Sequence, residues 1–203
     1  MAVARPLKAL VTAAGIRYSC YKIFALDLRG PLVPPKPLPG YRCAPITQAD
    51  VANAGEPLIR AEAWYGEGNA IGFGVYRGAE LVCLQWIWHG KDYHEKRNFW
   101  PLAQGEAKSV QLVTVPAEHN KGLATLVKLF SAGELSREGF RKLYSRIWWS
   151  NKASMRVSEK AGWHHIATVY ELQLGAAKPL RMVLGAKPLQ VALGSRPLRV
   201  VNR

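Results

Sequence analysis

Residues 112–124 read LVTVPAEHNKGLA. An apolar, β-branched run stops at Pro116, a short polar stretch follows, and Gly122-Leu123-Ala124 opens a second apolar segment. The first run suits a strand. In the second, apolar residues at 123, 126, 127, 130 and 135 recur at roughly helical spacing, with Gly139 as a C-terminal stop. A strand passing at once into a glycine-opened helix leaves main-chain N–H groups free at the helix start. Together with the helix dipole, those groups form a seat for phosphate. Gly122 lets an oxygen approach the backbone, Ala124 keeps the first turn small, and His119, Asn120 and Lys121 add polar or positive neighbours. By itself the pattern also fits a plain β-α connection, so the flanking chain has to decide.

Outward from this stretch, residues 40–174 alternate in type. GYRCAPI reads as a strand, and TQADVANAGEPLIRAEAWYGEG as helical material with Thr47 as N-cap. AIGFGVYRGAELVCLQWIW reads as a hairpin turning at Arg77-Gly78, and HGKDYHEKRNFW as a charged, aromatic loop. SVQLVTV and KLYSRIWW are strands on either side of the helix that Gly122 opens. NKASMRVSEKAGW is a helix ending at Gly162, and HHIATVYELQL a last strand. The expected order is β-α-β-β-β-α-β-α-β, an α+β arrangement in which a largely antiparallel, twisted sheet is flanked by helices.

Three zones follow. Residues 1–39 form an N-terminal extension ending in RGPLVPPKPLPG, a stiff connector because its five prolines forbid helix and central strand. Residues 40–174 hold nearly all the aromatic and acidic residues and form the folded unit. Residues 175–203 carry six Lys/Arg, no acid and no aromatic, in three similar runs, LGAAKPLRMV, LGAKPLQVA and LGSRPLRVV. They read as a basic, repetitive tail without fixed structure, with a small strand meander as the alternative.

The 203 residues carry a formal charge of +14, a balance that bears on partners rather than on fold. Nucleic acid, an anionic membrane surface and a small polyanionic ligand all satisfy it. Cys20, Cys43 and Cys83 are scattered, and the five His show no ligand spacing, so neither a disulfide framework nor a metal site is expected. Lys8, Arg17 and Lys22 interrupt every apolar run near the N-terminus, which argues against a membrane span or a signal peptide. A cytoplasmic location is the expectation.

Taken together, the hairpin, the loop and the later helix resemble the GNAT superfamily of acyl-CoA-dependent N-acyltransferases over roughly residues 40–174. That family's phosphate loop, Arg/Gln-x-x-Gly-x-Gly/Ala, is met by His119-Asn120-Lys121-Gly122-Leu123-Ala124, with His in place of Arg or Gln at the first position. Asn151, Ser154 and Gly162-Trp163 match its later pattern. The resemblance implies acetyl-CoA as cosubstrate, no metal, and transfer of the acyl group to a primary amine of a small molecule, amino sugar or peptide. It implies further that two adjacent parallel strands, 110–115 and 143–149, splay apart to admit the thioester. The main chain of Leu112, Val113 and Val115 would pair with the pantetheine arm, residues 120–124 would seat the pyrophosphate, and Asn151 would hold the arm.

The attacking alkylamine has a pKa of about 10.4 and needs a base. Glu106, just before the central strand, is the first candidate, with His89, Asp92, His94 and Glu95 as alternatives. Many relatives place a Tyr seven residues after the Asn to protonate the thiolate. This chain has Ser158 there, which leaves Ser154, Ser158, a water or Tyr170. Of Trp86 and Trp88, and of Trp148 and Trp149, one ring each is expected in the core and the other in an acceptor pocket. Two further readings stay open at this level. One is a GNAT-fold module without catalysis, holding nucleic acid or an anionic membrane through its basic surface and tail. The other is a long-chain acyltransferase.

Overall fold

Ile71–Arg77 (β3) and Glu80–His89 (β4) alternate around Gly78, whose φ of +60° makes the tight reversal that glycine permits, and they pair antiparallel as read from the sequence. They belong to a nine-stranded sheet in a computed structural model that describes residues 16–96, 99–177, 179–185 and 190–193. The remaining strands are β1 (Ile16–Asp27), β2 (Tyr41–Ile46), β5 (Glu106–Thr114), β6 (Lys142–Trp148), β7 (His164–Leu174), β8 (Leu180–Leu184) and β9 (Gln190–Leu193). Their order across the sheet is β2-β3-β4-β5-β6-β1-β7-β8-β9. Of the strand pairs described, β5–β6 is parallel and the others are antiparallel. The mixed, largely antiparallel sheet flanked by helices is the fold class the sequence implied.

The helices are α1 (Gln48–Ala52), α2 (Pro57–Arg60), α3 (Gly90–Lys96), α4 (Leu123–Arg137) and α5 (Lys152–Lys160). Thr47 does cap α1, in a capping box with Asp50. The material expected to continue from it breaks into α1, α2 and a 3-10 turn at Ala63–Gly66. Residues 90–96, expected as loop, form α3, whose Tyr93 is buried under the sheet.

Two segments placed outside the folded unit by the sequence lie in the sheet. β1 sits between β6 and β7, in register with Trp148 through Lys142 on one side and with Leu174 through His164 on the other. Ile23, Phe24 and Ala25 are buried there. The proline-rich connector then carries the chain from β1 to the far edge strand β2. Five strand spacings make about 24 Å, well within reach of thirteen residues at about 3.1 Å each. Leu32 and Leu38 pack on the core along the way. Beyond residue 174, β8 and β9 extend the other edge, with Arg181 paired to Glu171 across β7–β8. The meander alternative therefore describes Leu180–Leu184 and Gln190–Leu193, while the N-terminal fifteen residues, residues 186–189 and the third repeat lie outside the described residues.

The sheet divides the apolar side chains into two layers. On one face, Leu123, Val127 and Leu135 of α4 and Met155 of α5 pack on Leu84, Trp86, Leu143 and Ile147. On the other, Tyr21, Ile23, Trp88, Tyr93, Trp100, Tyr144 and Val169 form a second, more aromatic core. Trp148 and Trp149 are both half exposed, so neither is a core residue as the pairwise reading expected.

Candidate active site between two parting strands

β5 and β6 pair at Glu106–Lys142, Ala107–Leu143, Lys108–Tyr144 and Ser109–Ser145, and pairing stops there. Beyond that point the strands part. β5 keeps its antiparallel ladder with β4, but its register shifts between Trp86 and Ile87, so that Val110 is an extra residue opposite them. Such a bulge turns β5 away from β6 and leaves its far edge without a strand partner. The opening is a cavity of about 160 Å³ lined by residues 109–112 of β5, residues 145–148 of β6, Lys128 of α4, and Asn151, Ser154 and Ser158 of the α5 segment. The parting lies within the two strands for which the family resemblance implied it, beyond the paired residues 143–145.

α4 begins against this gap. Gly122 has φ +83° and ψ 4°, a left-handed conformation at the N-cap, with no capping side chain. The first helical hydrogen bond runs from Leu126 N–H to Gly122 C=O at 2.9 Å. The amides of Leu123, Ala124 and Thr125 are thus left at an uncapped helix N-terminus. Nothing lies within 4 Å of where a Cβ at Gly122 would stand, so the seat is open and not plugged by side chains. Asn120, also left-handed at φ +65°, bends the chain into it.

The loop owes its shape to Glu118, a residue the sequence reading passed over. Its side chain is buried, and it accepts hydrogen bonds from the Tyr41 hydroxyl, Arg77 Nη1 (both 2.5 Å) and Lys121 Nζ (2.9 Å). The hydrogen bonds from Tyr41 and Lys121, with the nearby Arg77 charge, hold its carboxyl below the usual range. One acid thereby ties β2, β3 and the loop together. Lys121 is committed to this cluster, so it adds charge at the rim of the seat from a fixed position. The His119 ring lies 2.9 Å from Thr114 C=O and braces the loop on β5.

The other expected residues separate into two groups. Leu112, Asn151, Ser154 and Ser158 line the cavity. Asn151 Oδ1 also accepts from Ser154 N–H at 3.0 Å and so caps α5. Val113 pairs with Leu84 of β4. Val115 is buried and already engaged, its N–H donating to Val82 C=O and its C=O accepting from Glu118 N–H, both at 3.0 Å.

Glu106 lies at the closed end of the strand pair, accepting from Ala103 N–H at 2.8 Å and the Tyr144 hydroxyl at 3.2 Å. It does not line the cavity. Three residues of strand, about 10 Å, separate it from Ser109. His89, Asp92, His94 and Glu95 are outside the cavity as well: His89 packs on Phe140, Asp92 accepts from Asn69 N–H, His94 stacks edge-on to Tyr93, and Glu95 pairs with Lys91. Tyr170 is beside Tyr18 on the β1–β7 surface. Lys128, buried on α4 within the cavity wall, was masked in the sequence by the apolar residues around it. No group of metal-binding side chains occurs among the described residues, nor is any of their helices long and apolar enough to cross a membrane, which leaves β-barrels unaddressed.

No protein-family model matches this sequence, and no curated protein does. Solved structures do. A GCN5-related N-acetyltransferase from Sphaerobacter thermophilus superposes with a TM-score of 0.56 at 14% identity, covering 84% of this chain and 56% of that one. A GCN5-related N-acetyltransferase from Kribbella flavida gives 0.52 at 16%, covering 82% and 62%. A tandem GNAT protein from the clavulanic acid biosynthesis pathway gives 0.54 at 16%, covering 78% and 55%. The chain thus spans little more than half the length of these structures. The class its architecture defines is the GNAT fold, that of the GCN5-related N-acetyltransferases.

Proposed function

We propose that this protein is an acyl-CoA-dependent N-acyltransferase that transfers acetyl from acetyl-CoA to a primary amine of a small molecule, amino sugar or peptide, by direct attack in a ternary complex. The observation that carries this reading is the parallel β5–β6 pair opening after Ser109 and Ser145 beside an unfilled, uncapped helix N-terminus at Gly122. An ester of a nucleotide-bearing thiol needs both features at once: a seat for pyrophosphate, and an edge along which an amide-bearing arm lies as an added strand.

In this reading the amides of residues 122–125 hold the pyrophosphate, and Leu112 and its neighbours present the free edge of β5 to the arm. The thioester carbonyl meets main-chain N–H groups at the Val110 bulge, where a fixed donor stabilises the charge that develops on oxygen. The acceptor comes from the aromatic side of the sheet, past Trp148 and Trp149 at the rim. Glu106 receives the proton shed by the amine through intervening water, because about 10 Å is too far for direct transfer. The positive balance of the chain favours a polyanionic cosubstrate.

Calorimetry of CoA binding, followed by thiol release from acetyl-CoA with a panel of amines, tests the proposal. Expected are saturable binding and amine-dependent release. The absence of binding at CoA concentrations of about 1 mM, the upper end of ordinary KM values, overturns it.

A further inference from the structure

Lys128 is 2% exposed, and its Nζ has no hydrogen-bond partner among the described residues. The same holds for the Ser158 hydroxyl, 1% exposed. Both residues line the cavity between β5 and β6, one from α4 and one from α5. Native structures rarely leave buried donors unmatched, since each costs about 1–3 kcal/mol, and more for a charged group. Two in one cavity point to an acceptor that arrives from outside.

The surroundings say what kind. Nζ lies 3.6 Å from the centroid of the Trp163 ring, a contact that favours the ammonium form. Burial opposes it and brings the lysine down to about 7, with no neighbouring charge contributing. The charged side chain sharing the cavity wall is Arg146 of β6, whose guanidinium stacks over Tyr21 and Phe99 of the second core. From β5 and α5 the lining groups are Ser109, Gln111, Asn151, Ser154 and Ser158, none of which titrates near neutrality. Gln85 and Ser109 are satisfied within a separate chain: Gln85 donates to Ser109 and accepts from Ser131. Lys128 is therefore the group described in this wall that combines an unmatched buried donor with a loosened proton.

We propose that Lys128 is the proton donor to the sulfur of the departing coenzyme A, with Ser158 as a second hydrogen-bond donor to the same atom. The inference rests on the acyl-CoA reading above. As the tetrahedral adduct collapses, the C–S bond breaks with its electron pair going to sulfur. The Nζ proton passes to that sulfur, giving the free thiol and a neutral amine. Water returns a proton to Lys128 after the thiol leaves. The C–N bond of the product has formed by then, and the proton released by the attacking amine has left on the other face of the sheet. Transfer is within reach because burial has already loosened the lysine's hold on its proton, toward that of a thiol at about 8.5.

The test uses the full chain with CoA itself, so that no acceptor need be known. The thiol of bound CoA is titrated by its thiolate absorbance in the wild type, K128M and K128R, and CoA affinity is measured by calorimetry for each. Bound thiol is expected to ionise about one pH unit lower in the wild type than in K128M, because a thiolate forming beside Nζ raises the lysine's proton affinity and is stabilised by the ammonium in return. K128R keeps the lowered ionisation but, being permanently charged, loses acetyl transfer to the best amine of the panel by about 100-fold. Equal thiol ionisation in wild type and K128M, with both binding CoA, overturns the proton-donor role and leaves the acyltransferase reading standing. So does an acetyl adduct on Lys128 after incubation with acetyl-CoA, found by mass spectrometry, since the amine is then the nucleophile. Failure of the wild type to bind CoA removes both readings.

Discussion

At Gly122 a backbone angle of +83° and an empty Cβ position coincide, and each has its own consequence. An L-residue forced into that conformation costs about 1–2 kcal/mol, and the added methyl projects into the space the pyrophosphate would fill. G122A is expected to lower the melting temperature slightly while weakening CoA about tenfold, measured by calorimetry. Lys128 makes a second residue-scale prediction that needs no ligand. Its proton affinity is lower folded than unfolded, so between about pH 7 and the ordinary lysine value of 10.5 the unfolded chain binds more protons. Stability should therefore rise with pH across that window and be flat below it. In K128M the rise disappears, and chemical denaturation at pH 7 finds the variant more stable. Neither the angle nor the burial is readable from a single letter. Gly122 was found through its place between a strand and a helix, whereas nothing local singles out Lys128 among its apolar neighbours.

Among the elements, the loop between β5 and α4 shows how a motif is legible while its support is not. HNKGLA stands out locally because the chain must change from extended to helical within six residues. What holds it is Glu118 with Tyr41 and Arg77, residues 77 and 41 positions away in sequence. E118Q is expected to weaken CoA several-fold and to speed hydrogen exchange at residues 117–122, with the rest of the sheet unchanged. The sign of the pH effect follows from the depressed carboxyl. Its contribution is complete above the ordinary value of 4.5 and is lost as pH falls through the lower folded value. Wild-type protection of the loop relative to an unfolded chain should accordingly fall on acidification below pH 4.5, and E118Q should show no such change. Helix α3 is the opposite case, since GKDYHEK has loop-like composition and becomes helical around buried Tyr93, whose hydroxyl accepts from Trp100 N–H at 2.9 Å.

For the whole molecule, the decisive fact is that the sheet is completed by its first described strand. β1 makes two antiparallel ladders in the interior of the sheet and buries Tyr21, Ile23, Phe24 and Leu26. At about 1.5–3 kcal/mol for each side chain, these four alone reach the usual net stability of about 5–15 kcal/mol. Deleting residues 1–28 should abolish cooperative thermal unfolding by circular dichroism. Deleting residues 190–203, which removes the edge strand β9, should leave it intact. Sequence alone determined the strands between residues 40 and 174, the helices α4 and α5 and the glycine-opened loop that leads into α4. Those follow from periodicity, capping and glycine placement, which act over a few residues. Tertiary structure alone decided that residues 16–27 lie in the sheet, that Val115 is spent on β4, that Glu106 lies away from the opening and that a lysine is sealed within it. Strand pairing and burial join positions more than a hundred residues apart, and no local pattern encodes which partner a strand edge or a buried charge will meet.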